Sequence, residues 1–178
     1  MFQSSTIKAD PFAFDSLHQA SAHGTPPVTD TPLVAVSADT LLRSPDGPVA
    51  ARDLGAGDLL LCMDGSPVPL HSVTLTRFSR GDLQGNRALA PIRFEAGSAA
   101  DGLPRQTLLI SPCMPVVSPM MGGQVRADHL VNGGTIRTAI PDEGITYITL
   151  QTATPALLMV DGLCLRFEAT ARPGVAFA

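Results

Sequence analysis

The chain has 178 residues, with 12 Lys and Arg against 16 Asp and Glu, and it contains 16 Gly and 16 Pro. A chain of this length can bury about 70% of the surface that its unfolded form exposes, so it can fold without a metal or disulfides. The formal net charge of −4 excludes the basic stripe that binding to nucleic-acid phosphates requires. No stretch reaches the roughly 18 apolar residues of a membrane span, and the N-terminus lacks the regions of a signal peptide. We therefore expect a soluble protein.

Residues 1–32 are predicted to form an arm and linker, because Ser, Thr, Ala and Pro dominate this stretch. Within the arm, Asp10 can cap a short helix that begins at Pro11 and ends before Gly24. The sequence does not indicate whether this helix docks on the rest of the chain or on a partner.

Residues 33–178 are predicted to form an all-β domain. Short apolar runs there are broken by Gly, Pro and Asp every eight to twelve residues, the spacing typical of such domains. The predicted strands are 33–36, 40–43, 58–62, 69–78, 91–94, 107–110, 115–117, 124–126, 146–149, 156–160 and 163–167. The steps Asp64-Gly65 and Asp161-Gly162 lie between apolar runs and predict tight hairpins with primed turns. Helical periodicity is nearly absent.

The three cysteines, Cys62, Cys113 and Cys164, are widely spaced and form neither a CxxC motif nor a Cys/His cluster of zinc spacing. Each lies in an apolar run, where a free cysteine usually behaves as a small buried hydrophobe. We therefore expect reduced thiols and no disulfide framework, which favours the cytoplasm.

Several segments carry a family resemblance when they are taken together and in order. They are TLLRSPDG from residue 40, VAARDLGAGDLLL from 49, DG at 64, APIRF from 90, LPR from 103, LLISP from 108, HLVNG from 129 and TYITL from 146. Their order resembles that of a Hint domain, the hedgehog/intein autoprocessing module, in the bacterial subfamily found beside other domains. The resemblance covers about residues 33–170. It implies an all-β Hint-like fold of short curved antiparallel strands, preceded by the arm.

The resemblance also implies a reaction, in which the thiol or hydroxyl of the domain's first residue attacks the preceding carbonyl. When the family's Cys-Phe-x-x-Gly-Thr opening is laid on residues 35–40, Ala35 falls at the position of the nucleophile. The family's Ser-Pro-x-His block matches Ser111 to Met114, so Met114 replaces the histidine that protonates the departing nitrogen. A further family histidine falls near Pro155. Because none of these three replacements can do the chemistry, the resemblance implies a fold kept without its reaction.

The leading hypothesis is therefore a catalytically silent Hint domain that binds or scaffolds a partner. A peptide or protein in the former catalytic cleft is the first partner to expect, since apolar clefts are common binding sites. The positions that would line this cleft are Ala35, Ser111, Met114 and Pro155.

The competing hypothesis is residual autoprocessing, an N-to-O or N-to-S acyl shift that uses Ser37, Ser111 or Cys113. Ser37 lies two residues after Ala35 and would face the same side of a strand, but no base can be paired with it. Cys113 lies one residue before the position of the missing histidine. A reactive thiolate needs a nearby cation or helix N-terminus, and the sequence shows neither, so burial is the favoured interpretation.

Four soft ligands occur within nine residues: Cys113, Met114, Met120 and Met121. Thiolate and thioether donors suit Cu(I), but the same side chains suit an apolar core, and we favour the core. His71 and His129 have no partner at ligand spacing. We expect neither a metal nor another cofactor, and the sequence leaves the oligomeric state open.

Overall fold

The computed structural model of the protein describes residues 32–99, 102–118 and 123–169. The predicted helix of the arm lies outside these residues. The described strands are β1 (Val36–Ser37), β2 (Leu41–Ser44), β3 (Gly47–Ala50), β4 (Leu59–Leu61), β5 (Pro67–Phe78), β6 (Ile92–Phe94), β7 (Leu108–Ile110), β8 (Pro115–Ser118), β9 (Gly123–Arg126), β10 (Ile136–Thr138), β11 (Ile145–Thr152), β12 (Ala156–Val160) and β13 (Leu163–Phe167). One α-helix, α1 (Arg80–Gly85), follows β5, and short 3₁₀ turns occupy Ala51–Asp53, Arg87–Leu89 and Ala127–Leu130. In the described part, no helix is long and apolar enough to cross a membrane.

The strands form two antiparallel sheets. One sheet has the order β10-β6-β7-β1-β11-β5-β4, and the other has the order β3-β2-β12-β13-β8-β9. The two-residue strand β1 lies in the middle of the first sheet, where Val36 is paired with both Ile110 and Ile148. The predicted all-β class of short antiparallel strands is confirmed.

Two hydrophobic clusters pack against the first sheet. The larger one combines side chains from both sheets, including Val36, Ile148 and Leu158. The smaller one contains Ala35 and Tyr147. Successive side chains of a strand point to opposite faces, which explains why the neighbours Ala35 and Val36 belong to different clusters.

Three elements of the described chain were not expected from the sequence, and one predicted strand is misplaced. Strands β3 and β10 have three or four residues, and helix α1 has six residues of which Leu83 alone is buried. These elements are too short for a hydrophobic periodicity that would predict a strand or a helix. The helix begins with a capping box between Ser79 and Asp82, a local signal that fits this start. The predicted strand 33–36 is wrong in position, because the ladder begins at Val36.

One of the two predicted primed turns is confirmed and the other is wrong. Asp161 and Gly162 have φ of 46° and 89°, as a type I′ turn requires. Asp64 is not among the described residues with positive φ, whereas Gly65 has a φ of 83°. The Gly65 N–H donates to the Cys62 carbonyl at 2.9 Å, which is the pattern of a longer turn with a left-handed glycine at its end.

Candidate functional site

Ala35 and Ser111 lie side by side in the centre of the first sheet. Ala35 immediately precedes β1, and Ser111 immediately follows its antiparallel neighbour β7. The Ala35 N–H donates to Ser111 Oγ at 2.9 Å, and the Ser111 N–H donates to the Ala35 carbonyl at 2.9 Å. Both residues have 0% exposed surface. The structure therefore joins the two positions that the family resemblance brings into one site.

Met114 and Pro155, the other two positions named from the sequence, differ in burial. Met114 also has 0% exposed surface, but it packs in the larger cluster, whereas Ala35 packs in the smaller one. Pro155 is exposed in the loop before β12. Ala35, Ser111 and Met114 are all fully buried in the described part of the chain.

We call the hydrogen-bonded pair of Ala35 and Ser111 the junction. Ser37 lies two residues after Ala35 and faces an open groove of about 740 Å³. Its hydroxyl is 2.9 Å from the hydroxyl of Thr40, which is buried at 5% exposure. Thr146 and the exposed Leu75 also line this groove. The described residues that line it include no histidine, and the hydrogen-bond partner of the Ser37 hydroxyl is the hydroxyl of Thr40.

Cys113 has a cation beside it that the sequence did not reveal. Arg126 Nη2 donates to Cys113 Sγ at 3.3 Å, and the same nitrogen donates to Asp128 Oδ2 at 2.6 Å. The Asp128 carboxylate, and next the Cys113 sulfur, raise the pKa of the Arg126 guanidinium above its usual value. Arg126 reaches Cys113 because β8 and β9 pair in the register Pro115 to Arg126. The sequence alone does not reveal this register, so it could not predict the contact between Arg126 and Cys113.

The other two cysteines fit the core interpretation better. Cys164 is buried at 8% exposure, and burial raises the pKa of its thiol, which disfavours the reactive thiolate. Cys62 is half-buried and packs against the larger cluster. All three cysteines are free thiols in this structure.

The proposed soft-metal ligands are only partly described. Met120 and Met121 lie outside the described residues, and Cys113 is half-buried next to the fully buried Met114. Within the described ranges, no group of three or more His, Cys, Asp and Glu residues could hold a metal ion. His129 has a side chain 68% exposed and 3.8 Å from Asp128 Oδ1, so it faces solvent.

The fold is similar to solved inteins and intein-like domains. A bacterial intein-like domain from Clostridium thermocellum matches with a TM-score of 0.55 and 13% identity, over 76% of this chain and 99% of that one. The MchDnaB-1 intein matches with a TM-score of 0.51 and 17% identity, over 75% and 100%. A DnaB intein from Synechocystis matches with a TM-score of 0.52 and 13% identity, over 78% and 100%. At these identities the likeness defines the fold, which is the hedgehog/intein fold.

The sequence model of the Hint domain family matches residues 34–169, and the chain belongs to this family. The match begins one residue before Ala35, at the junction that Ser111 holds. None of the curated proteins compared with the chain matches it. The family resemblance drawn from the sequence is confirmed.

Proposed function

We propose that this Hint domain is catalytically silent and acts as a binding or scaffolding module. The observation that carries the proposal is the hydrogen bond from the Ala35 N–H to Ser111 Oγ. At the position of the nucleophile Ala35 offers a methyl group, and the hydroxyl of Ser111 accepts a hydrogen bond from the Ala35 nitrogen. An acyl shift needs an attacking thiol or hydroxyl and an acid that protonates that nitrogen. Ala35 has no such group, and the Ser111 oxygen is engaged as the acceptor of the Ala35 N–H.

The burial of the junction supports the same proposal. Ala35 and Ser111 have no exposed surface and Val34 is half-buried, which restricts the path of water or a second nucleophile to the Val34–Ala35 bond. Release of an acyl group from an ester or thioester would require that path. In a closed, hydrogen-bonded junction the peptide bond between Val34 and Ala35 stays intact.

The binding part of the proposal rests on exposed apolar surface beside this junction. The groove next to Ser37 exposes Leu75 to 51%, and such apolar exposure within a concave surface is typical of interaction sites. A peptide or protein partner is therefore expected next to the former catalytic position rather than in it.

A second candidate function, self-processing, is favoured by one observation: the Arg126 guanidinium lies 3.3 Å from Cys113 Sγ. The Cys113 sulfur could act as the nucleophile that attacks the carbonyl of Pro112 in an N-to-S acyl shift. The Asp128 carboxylate binds the same guanidinium at 2.6 Å and competes with Cys113 for its charge.

The intact mass of the freshly purified full-length chain tests both functions. The chain is incubated with and without hydroxylamine, which captures an acyl group from any ester or thioester as a hydroxamate and releases the downstream fragment. A silent domain keeps its full mass. Cleavage before Ser37, Ser111 or Cys113 would contradict the proposal and identify the nucleophile. If cleavage occurs before Cys113, it should disappear in the variant Cys113→Ala and persist in the control variant Cys62→Ala.

The double substitution Ala35→Cys and Met114→His tests why the domain is silent. Cleavage between residues 34 and 35 in this variant would attribute the silence to the two missing reactive groups. A constant mass, with the variant still folded by circular dichroism, would attribute it to the closure of the junction as well. Ala35→Cys alone is the matched control, since it has the nucleophile without the acid.

A further inference from the structure

A second groove, of about 660 Å³, lies against β2 and the β12–β13 turn. In β2 the buried Leu42 alternates with the exposed Leu41 and Arg43, so these two side chains face away from the core. Leu41 is 40% exposed, and Met159 of β12 contributes further apolar surface. The loop residue Leu103 lines the opposite side. The result is an apolar floor that is open to solvent.

Two arginines line the same groove without a described carboxylate partner. Six of the described arginines form ion pairs with Asp or Glu, whereas Arg43 and Arg105 contact no carboxylate among residues 32–99, 102–118 and 123–169. Asp161 is the acidic residue that lines the groove, and its carboxylate accepts the Gln106 backbone N–H at 2.6 Å. The groove therefore carries positive charge on a chain whose net charge is −4.

We propose that this groove binds an acidic peptide segment of a partner protein. An apolar side chain of the peptide lies over Leu41 and Met159, and its carboxylates meet Arg43 and Arg105. Arg and Met are both enriched in protein interfaces, and a guanidinium binds a carboxylate through two parallel hydrogen bonds. The proposal adds to the binding part of the proposed function a second surface, separate from the groove beside Ser37, and names its partner; it rests on that function.

The shape of the groove favours an extended peptide over a small molecule. Arg43 belongs to a strand, whereas Arg105 belongs to the separate loop that precedes β7, so the two charges are held by different segments with the apolar floor exposed near them. Small ligands are usually enclosed over most of their surface, which an open groove cannot do. An extended chain presents alternate side chains to opposite sides and can place carboxylates and an apolar group along one open surface.

Fluorescence anisotropy with the full-length chain tests the proposal. The probe is a fluorescein-labelled peptide, Asp-Leu-Asp-Leu-Asp, and the comparison peptides are Asn-Leu-Asn-Leu-Asn and Asp-Ala-Asp-Ala-Asp. We expect saturable binding of the probe, weakened by about tenfold in the double variant Arg43→Gln and Arg105→Gln, which corresponds to about 1.4 kcal/mol for two exposed ion pairs. Both comparison peptides should bind more weakly. Arg87→Gln is the matched control, because Arg87 is exposed, lies outside the groove and pairs with no described carboxylate, and it should change binding by less than about twofold.

Several results would overturn the proposal, provided that circular dichroism shows every variant folded. They are no saturable binding of the probe, equal binding of the asparagine peptide, or an equal loss in Arg87→Gln. Binding to phosphatidylserine vesicles without binding to the peptide would replace the peptide with a lipid surface and would also overturn it. The intact mass of the same sample keeps the two proposals apart. If the peptide does not bind and the mass stays constant, only the proposed peptide-binding groove is refuted. If the chain is cleaved and the peptide still binds, only the proposed lack of catalysis is refuted.

Discussion

The substitution Ser111→Ala tests the hydrogen bond that closes the junction. It removes the acceptor of the Ala35 N–H and leaves the backbone bond from the Ser111 N–H to the Ala35 carbonyl in place. Because both residues have 0% exposed surface, water cannot reach the orphaned donor. A buried donor without a partner costs about 1–3 kcal/mol of folding free energy, which is a substantial share of the roughly 5–15 kcal/mol that stabilises a typical domain.

Urea unfolding measures this loss as a change in the free energy of unfolding, and a thermal scan should show a midpoint lower by about 2–4 °C for each kcal/mol. Ser66→Ala is the matched control. The Ser66 hydroxyl also donates a hydrogen bond, to Asp64 Oδ1 at 2.6 Å, but in an exposed turn, where water replaces it and the change should stay within about 0.5 kcal/mol. Equal losses in the two variants would refute the reasoning, because they would mean that the Ala35 N–H is not sealed from water.

Three further predictions concern how tightly single described residues are packed. Gly144 and Gly133 have nearly equal φ of 76° and 75°, but a Cβ at Gly144 would lie 2.1 Å from the Phe78 carbonyl oxygen, whereas one at Gly133 meets nothing within 4 Å. Gly133→Ala should therefore lose only the conformational cost of about 1–2 kcal/mol, and Gly144→Ala clearly more in urea unfolding; equal losses would contradict the packing. Met114→Ala should lose about 2–5 kcal/mol as a core truncation, and a loss below about 1 kcal/mol would place Met114 outside the core. Tyr147 is the single tyrosine, and burial raises the pKa of its phenol above the ordinary value of 10.0. Unfolded chains lose this proton near pH 10 while the folded chain keeps it, so the free energy of unfolding should fall as pH rises above about 10. Ultraviolet difference spectra should show phenolate only when the chain unfolds. Titration of Tyr147 near pH 10 in the folded chain would contradict its burial.

The sequence predicts the longer strands because its apolar runs are bounded by Gly, Pro and Asp. In β12 the residues Ala156–Val160 alternate between buried and half-buried positions, and the type I′ turn at Asp161-Gly162 joins this strand to β13. Strand β3 contains Gly47 and Pro48 and has no such alternation. It forms because β2 pairs with it along its whole length, and pairing between neighbours is not written in the propensities of either segment.

The site is predictable in its positions but not in its arrangement. The order of the family motifs leads to Ala35, Ser111 and Met114, and the structure does place Ala35 against Ser111. Whether the junction is open depends on how the side chains pack, and the contact of Arg126 with Cys113 depends on the register of β8 and β9. Both are tertiary properties, which a local pattern cannot contain.

The position of the two-residue strand β1 in the middle of the first sheet has a mechanical consequence. The chain enters the fold at the middle of a seven-stranded sheet, where Val36 is flanked by Ile110 on one side and Ile148 on the other. A pull on the preceding segment is therefore resisted by hydrogen bonds on both flanks at once, whereas an edge strand would peel away from one neighbour. A strand so short can nevertheless act as an anchor, because removing it would leave two new unpaired edges inside the sheet.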